Sequence, residues 1–319
     1  MAVDLNACRQ AAEWFRQCLG PLPAGCALSP RVEGVERVGS WEAERIRYRA
    51  EEEEWVSALL VKPRGVARPP VVIAHHGHGI GNEDSLFGKL WPKARYPFEP
   101  EAGLTRFGVA VLAPDARCHG ERLPDAPDPV AEPQRWREHF DAAWQWLARR
   151  CLIDGACLQA LLVHDVKCAI DYLQTRDDLD ASRLGMYGYS MGGTTCWSTA
   201  VVEPRIKVVA VGGCLLNYDT ALRVRRDASW HAWVPGVRRG ASREQLLASL
   251  APRPLLAIHG EQDFPRQGVQ PILDAAAEAY AQRGCPDHFR PVFLPGDHIA
   301  AACEPRLIEE AGQWFAKHL

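Results

Sequence analysis

The chain has 319 residues, of which 47% are hydrophobic and 24% charged, enough apolar material for a large buried core and too much for a disordered or fibrous polymer. A formal net charge of −3 gives no electrostatic basis for binding nucleic acid or an anionic membrane surface. No apolar run approaches membrane-spanning length, and the first twenty residues set Trp14, Phe15 and Leu19 among Arg9, Glu13 and Arg16, so neither a membrane anchor nor a signal peptide is expected and the location is read as cytoplasmic. The 11 cysteines are odd in number and show no C-x-x-C spacing; Cys168, Cys196 and Cys214 fall in apolar patterns and read as small core residues outside any disulfide framework.

In chain order, residues 1–19 predict an amphipathic helix on the outside of the fold, and residues 20–31 a Pro/Gly linker. Residues 32–62 hold two strand-like runs, 44–49 and 55–61, and the acidic run from Glu51 to Glu54 between them reads as a solvated hairpin tip. Strand 71–74, helix 100–107, strand 109–113 and helix 158–174 follow, an alternation that calls for a mostly parallel twisted sheet with helices on both faces. No repeat or low-complexity tract interrupts it, so residues 1–319 are expected to form one domain. Residues 123–155 and 217–240 depart from the alternation and read as small, partly helical insertions over the carboxyl ends of strands, where ligands bind in open α/β sheets. Trp136, Phe140, Trp144 and Leu147 recur at helical spacing in the first, and Trp230, His231 and Trp233 mark the second. Trp136, Trp144, Trp230 and Trp233 either line a substrate pocket or pack the insertions onto the body, and both readings stand.

The most informative motif is GYSMGG at residues 188–193, with an apolar strand-like run (183–187) before it and a helical run closed by Pro204 after it. A serine on so sharp a strand-to-helix turn needs small residues two positions either side, here Gly188 and Gly192, and its strained backbone lifts the Ser190 hydroxyl clear of the chain. A serine hydroxyl is a weak nucleophile at neutral pH, so a base and an acid that orients it must come from elsewhere. Downstream, strand-like run 254–259 opens into a turn carrying Asp263, and run 290–294 opens into one carrying His298. Glu261 is a rival acid but lies closer to its strand; His259 sits within a strand and His288 precedes one, so both are poorly placed beside His298, and Asp297 points away from its own neighbour.

Run 70–74 ends in a turn of three histidines and two glycines, His75-His76-Gly77-His78-Gly79. The N–H groups of His78 and Met191 are the expected oxyanion hole, with Gly77 or Gly79 as other donors. His76 and His78 also have an H-x-H spacing that, with His119 and Asp115, would make a zinc site, but no H-E-x-x-H helix occurs and a metal would leave Ser190, Asp263 and His298 unexplained; no metal or other cofactor is expected.

The HHGHG turn, the PDARCHGE segment at residues 114–121, the GYSMGG elbow, the APRP segment at residues 251–254 and the Asp263 and His298 turns together resemble the dienelactone hydrolase and acetyl-xylan-esterase-like branch of the α/β-hydrolase superfamily, over roughly residues 55–319. Many dienelactone hydrolases use a cysteine nucleophile where this chain has Ser190, which moves the expectation toward a serine carboxylesterase. The resemblance implies an α/β-hydrolase domain that takes a small-molecule ester and has no nucleic-acid or membrane partner; self-association into a homo-oligomer is left open. A serine peptidase or a C–C bond hydrolase could use the same residues, and a non-catalytic binding module of this fold would usually have lost one of them.

Overall fold

The computed structural model describes residues 3–79, 81, 101–129, 131–224 and 230–319. Among these, nine strands are followed in chain order: β1 (Arg31–Val38), β2 (Trp41–Arg49), β3 (Trp55–Pro63), β4 (Pro70–His75), β5 (Ala110–Pro114), β6 (Asp180–Tyr189), β7 (Val208–Gly212), β8 (Leu255–Gly260) and β9 (Phe289–Leu294). Along β4, Val71 and Ile73 join one buried apolar cluster and Val72 and Ala74 another; Leu255 and Ala257 against Leu256 and Ile258 divide the same way along β8. A strand apolar on both faces is stable only inside a sheet covered on both sides. The strands form one sheet in the order β1-β2-β3-β5-β4-β6-β7-β8-β9. β1, β2, β3 and β5 pair antiparallel, and all pairings from β5 through β4 to β9 are parallel.

The face holding Val71 is covered by the amino-terminal helix Leu5–Cys18 and by helices Leu158–Gln174, Met191–Val202 and Arg266–Gln282. Asp4 caps the first of these by accepting from the N–H groups of Asn6 and Ala7, and Phe15 of that helix packs 5.6 Å from the ring of Trp197. The other face is covered by helix Arg306–His318, through Trp314 and Phe315, and by the 3₁₀ helix Glu101–Phe107. That last segment is the helix expected over residues 100–107; residue 100 lies outside the described residues, and the rest winds as a 3₁₀ helix. No described helix is long and apolar enough to cross a membrane.

Two expectations are corrected. Residues 32–62 form three strands, because the edge strand β1 precedes the two expected runs. Val32 and Val35 of β1 are 55% and 53% exposed and the register shifts between Val32 and Gly34, so the strand has no buried face to impose alternation on its sequence. The Glu51 to Glu54 run is not simply solvated: Glu51 pairs with Arg117 and Glu54 with Arg122, and both arginines also grip Asp165. Burial opposes the Asp165 charge, but the two guanidinium groups outweigh it and hold its carboxyl down to about 2. This network ties the β2–β3 turn to the segment after β5 and to helix Leu158–Gln174.

Candidate active site

All of the parallel strands point their carboxyl ends to one edge, and the turns after β4, β6, β8 and β9 meet there. Ser190, just past β6, has φ 58 and ψ −119, the strained geometry expected of an elbow. A side chain at Gly188 would run into the backbone carbonyl of Gly192, and one at Gly192 into the carbonyls of His75 and His76. The two glycines are therefore required by contact with backbone that cannot yield.

Asp263, 2% exposed in the turn after β8, accepts a hydrogen bond from His298 Nδ1 at 2.8 Å. With Nδ1 carrying the proton, Nε2 presents its lone pair to Ser190 Oγ, 2.9 Å away. Glu261 is exposed, and Asp297 instead caps helix His298–Ala302 by accepting from the N–H groups of Ile299 and Ala300. His259 is buried beside Phe293, and His288 bonds the Pro252 carbonyl. Tyr189, the residue before the serine, donates its hydroxyl to the His298 carbonyl at 3.0 Å, so one turn holds both partners.

The turn after β4 runs against the elbow: a Cβ on Gly77 would lie 3.4 Å from Ser190 Cβ. His78 is the next residue along that turn. Met191 is the first residue of its helix, where an N–H has no intrahelical acceptor and the helix dipole favours negative charge.

The other histidines of the turn have structural partners. His76 Nε2 accepts from the Ala116 N–H at 3.0 Å, which fixes the proton on Nδ1, and Nδ1 donates to the Gly77 carbonyl at 2.7 Å. Both nitrogens are thus committed, which leaves the H-x-H pair short of one ligand. Asp115 accepts from the Glu121 N–H, and no group of three or more His, Cys, Asp or Glu side chains among the described residues is arranged to hold a metal ion. Burial pushes the His75 imidazole down to about 3 and those of His76 and His78 to about 4; His119 and His231 are also driven well below the ordinary histidine range, again chiefly by burial.

The insertion helix Pro133–Ile153 stacks Trp136 on Phe140 (5.5 Å) and Phe140 on Trp144 (5.8 Å), and this ladder shares a buried cluster with Met191. Trp144 and Phe140 reach the His78 ring edge-on at 5.8 and 6.3 Å. In the second insertion Trp230 is 36% exposed, while Trp233 packs on the main core. The residue that reaches His78 is His231, at 4.9 Å. It is visible in the sequence between the two tryptophans, but a lone histidine carries no periodic signal. His119 joins the same group, 4.8 Å from Phe140 and 5.4 Å from Trp144.

This sheet order with a strained serine turn at the carboxyl edge is the α/β-hydrolase fold. A Bacteroides fragilis structure provisionally named an acetyl xylan esterase superposes with a TM-score of 0.71 at 18% identity, over 89% of this chain and 73% of that one. A glucuronoyl esterase from Solibacter usitatus gives a TM-score of 0.68 at 15% identity, over 97% and 91% of the two chains. In sequence, the chain is 27% identical over 291 residues to YtaP of Bacillus subtilis (strain 168), a protein provisionally named a hydrolase, over 89% of this chain and 91% of that protein. No protein-family model matches the chain.

Proposed function

We propose that the chain is a serine hydrolase that cleaves carboxylic esters through an acyl-enzyme intermediate. The observation that carries this reading is the hydrogen-bond relay from Asp263 through His298 to Ser190 Oγ, with the serine held at positive φ. Ser190 Oγ attacks the ester carbonyl carbon as its proton passes to His298 Nε2, and Asp263 stabilises the resulting imidazolium without taking that proton. Charge gathers on the carbonyl oxygen, where the N–H groups of His78 and Met191 donate to it. Collapse breaks the C–O bond, and His298 returns the proton to the departing alcohol. Water then attacks the acyl carbon with His298 again as base, releasing the carboxylic acid and restoring Ser190. None of these steps calls for a cofactor.

The esterase names carried by structures of the same fold support an ester substrate, and the 11 free cysteines fit a reducing, cytoplasmic setting. The test is hydrolysis of p-nitrophenyl acetate and longer p-nitrophenyl esters by purified protein. We expect turnover, and at least about a thousandfold loss in Ser190→Ala. Near-parental activity in that variant would remove Ser190 as the nucleophile.

A further inference from the structure

Beside the elbow, three side chains each bury a hydrogen-bonding atom that meets no partner among the described residues: His119 Nε2, Trp144 Nε1 and His231 Nδ1. The residues are 0%, 4% and 4% exposed. Their rings gather around His78, at 6.2 Å for His119, 5.8 Å for Trp144 and 4.9 Å for His231. His119 and Trp144 also lie 5.4 Å apart, and Trp144 and His231 6.3 Å. His78 follows the glycine that abuts Ser190, and Met191 on the far side of the serine shares the apolar cluster of Trp144. An unpaired buried polar atom has lost its hydrogen bonds to water without replacing them, which is destabilising. Three of them in one ring cluster at the nucleophile describe a site that a ligand's polar group would complete.

The chemistry of that group follows from the roles available. His119 Nδ1 faces the Arg117 carbonyl at 2.9 Å and must donate to it, so Nε2 can only accept. Trp144 Nε1 can only donate. A hydroxyl satisfies both, since it gives one hydrogen bond and receives others. Burial holds the imidazoles of His78, His119 and His231 neutral, so the cluster offers no positive charge to a carboxylate or phosphate.

We propose that His119, Trp144 and His231 are specificity-determining residues of this site, selecting an ester whose non-reacting part carries a hydroxyl group. The inference rests on the ester hydrolysis proposed above. With such a site, an analogue bearing a methyl in place of the hydroxyl leaves the polar atoms unpaired, a loss that discriminates far more strongly than one methylene in an apolar pocket.

The experiment measures kcat/KM for two isosteric pairs, with the hydroxyl on either side of the scissile bond: ethyl 3-hydroxybutanoate against ethyl 3-methylbutanoate, and 2,3-dihydroxypropyl acetate against 2-methylbutyl acetate. The parent protein should favour the hydroxylated member of at least one pair by about tenfold or more. Trp144→Phe, which keeps an aromatic ring but has no N–H donor, and His119→Leu should each reduce that ratio several-fold. The reduction should come from the hydroxylated ester and not from its methyl isostere. A parent without preference overturns the proposal, and so do variants that slow both members of a pair together, since that is what loss of packing would do. Ser190-dependent hydrolysis of p-nitrophenyl acetate by the parent is read in the same assay; if it is present while the preference is absent, this inference fails and the ester hydrolase reading stands.

Discussion

At the scale of single residues, the proposed acid of the relay is distinguished from its rival by reach. Asp263 and Glu261 are two residues apart in one turn, but Asp263 is buried against His298 Nδ1 while Glu261 is exposed and engages the β9 end only through its backbone. Asp263→Asn keeps the shape but offers an N–H where the imidazole needs an acceptor, which favours the wrong tautomer. We expect turnover to fall by roughly three to four orders of magnitude with little change in melting temperature, against less than about a twofold change for Glu261→Gln. The opposite ranking in steady-state kinetics would transfer the role to Glu261. Both carboxylates are legible in the sequence, which already favours Asp263 because it lies further past its strand; the path of β9 beside β8 adds the reason in space, bringing His298 over one and not the other.

At the scale of elements, the elbow works because strand β6, the turn and helix Met191–Val202 pack with no room to spare. A Cβ at Gly192 would overlap two backbone carbonyls of the turn after β4, so that turn or the helix must shift. A displacement of about 1 Å at a nucleophile can cost on the order of a hundredfold in rate. Gly192→Ala should therefore lose at least about that much activity and roughly 1–3 kcal/mol of stability. Gly34→Ala on edge strand β1, where a Cβ would meet nothing within 4 Å, is the matched control and should change stability by less than about 0.5 kcal/mol. Denaturant melts and ester turnover of the two variants check this; a Gly192→Ala protein as active as the Gly34→Ala one would mean that the elbow has slack.

For the whole molecule, the buried imidazoles set a dependence of stability on pH. His75, His76 and His78 have folded-state values of about 3, 4 and 4, while each takes its ordinary value near 6.5 when unfolded. Between those limits the unfolded chain binds protons that the folded chain refuses, so stability is full above about 6.5 and falls as pH drops toward 4. Each such group contributes a slope of at most about 1.4 kcal/mol per pH unit. Asp165, held down to about 2, adds its own loss only below the ordinary carboxylate range. Urea midpoints between pH 8 and pH 4 should decline through that window, and His76→Gln should flatten the decline by up to about one proton's worth. A midpoint that is constant or rising from pH 6.5 to 5 would show that these histidines are not buried neutral groups.

The sequence alone determined whatever depends on local chemistry. An apolar run of strand length, glycines flanking a serine, and an acid and a histidine each just past a strand are short-range patterns, and from them the sheet, the elbow and the three relay residues could all be named. Periodicity fails where no face is buried, which is why edge strand β1 escaped the reading, and where charge is neutralised from afar, which is why Glu51 and Glu54 read as solvated although Arg117 and Arg122 bind them. Only the tertiary structure decided what gathers around His78. His119 comes from the loop after β5, Trp144 from the insertion helix and His231 from the segment after β7. No spacing in one dimension relates them; they meet because the parallel strands open their carboxyl ends onto a single edge.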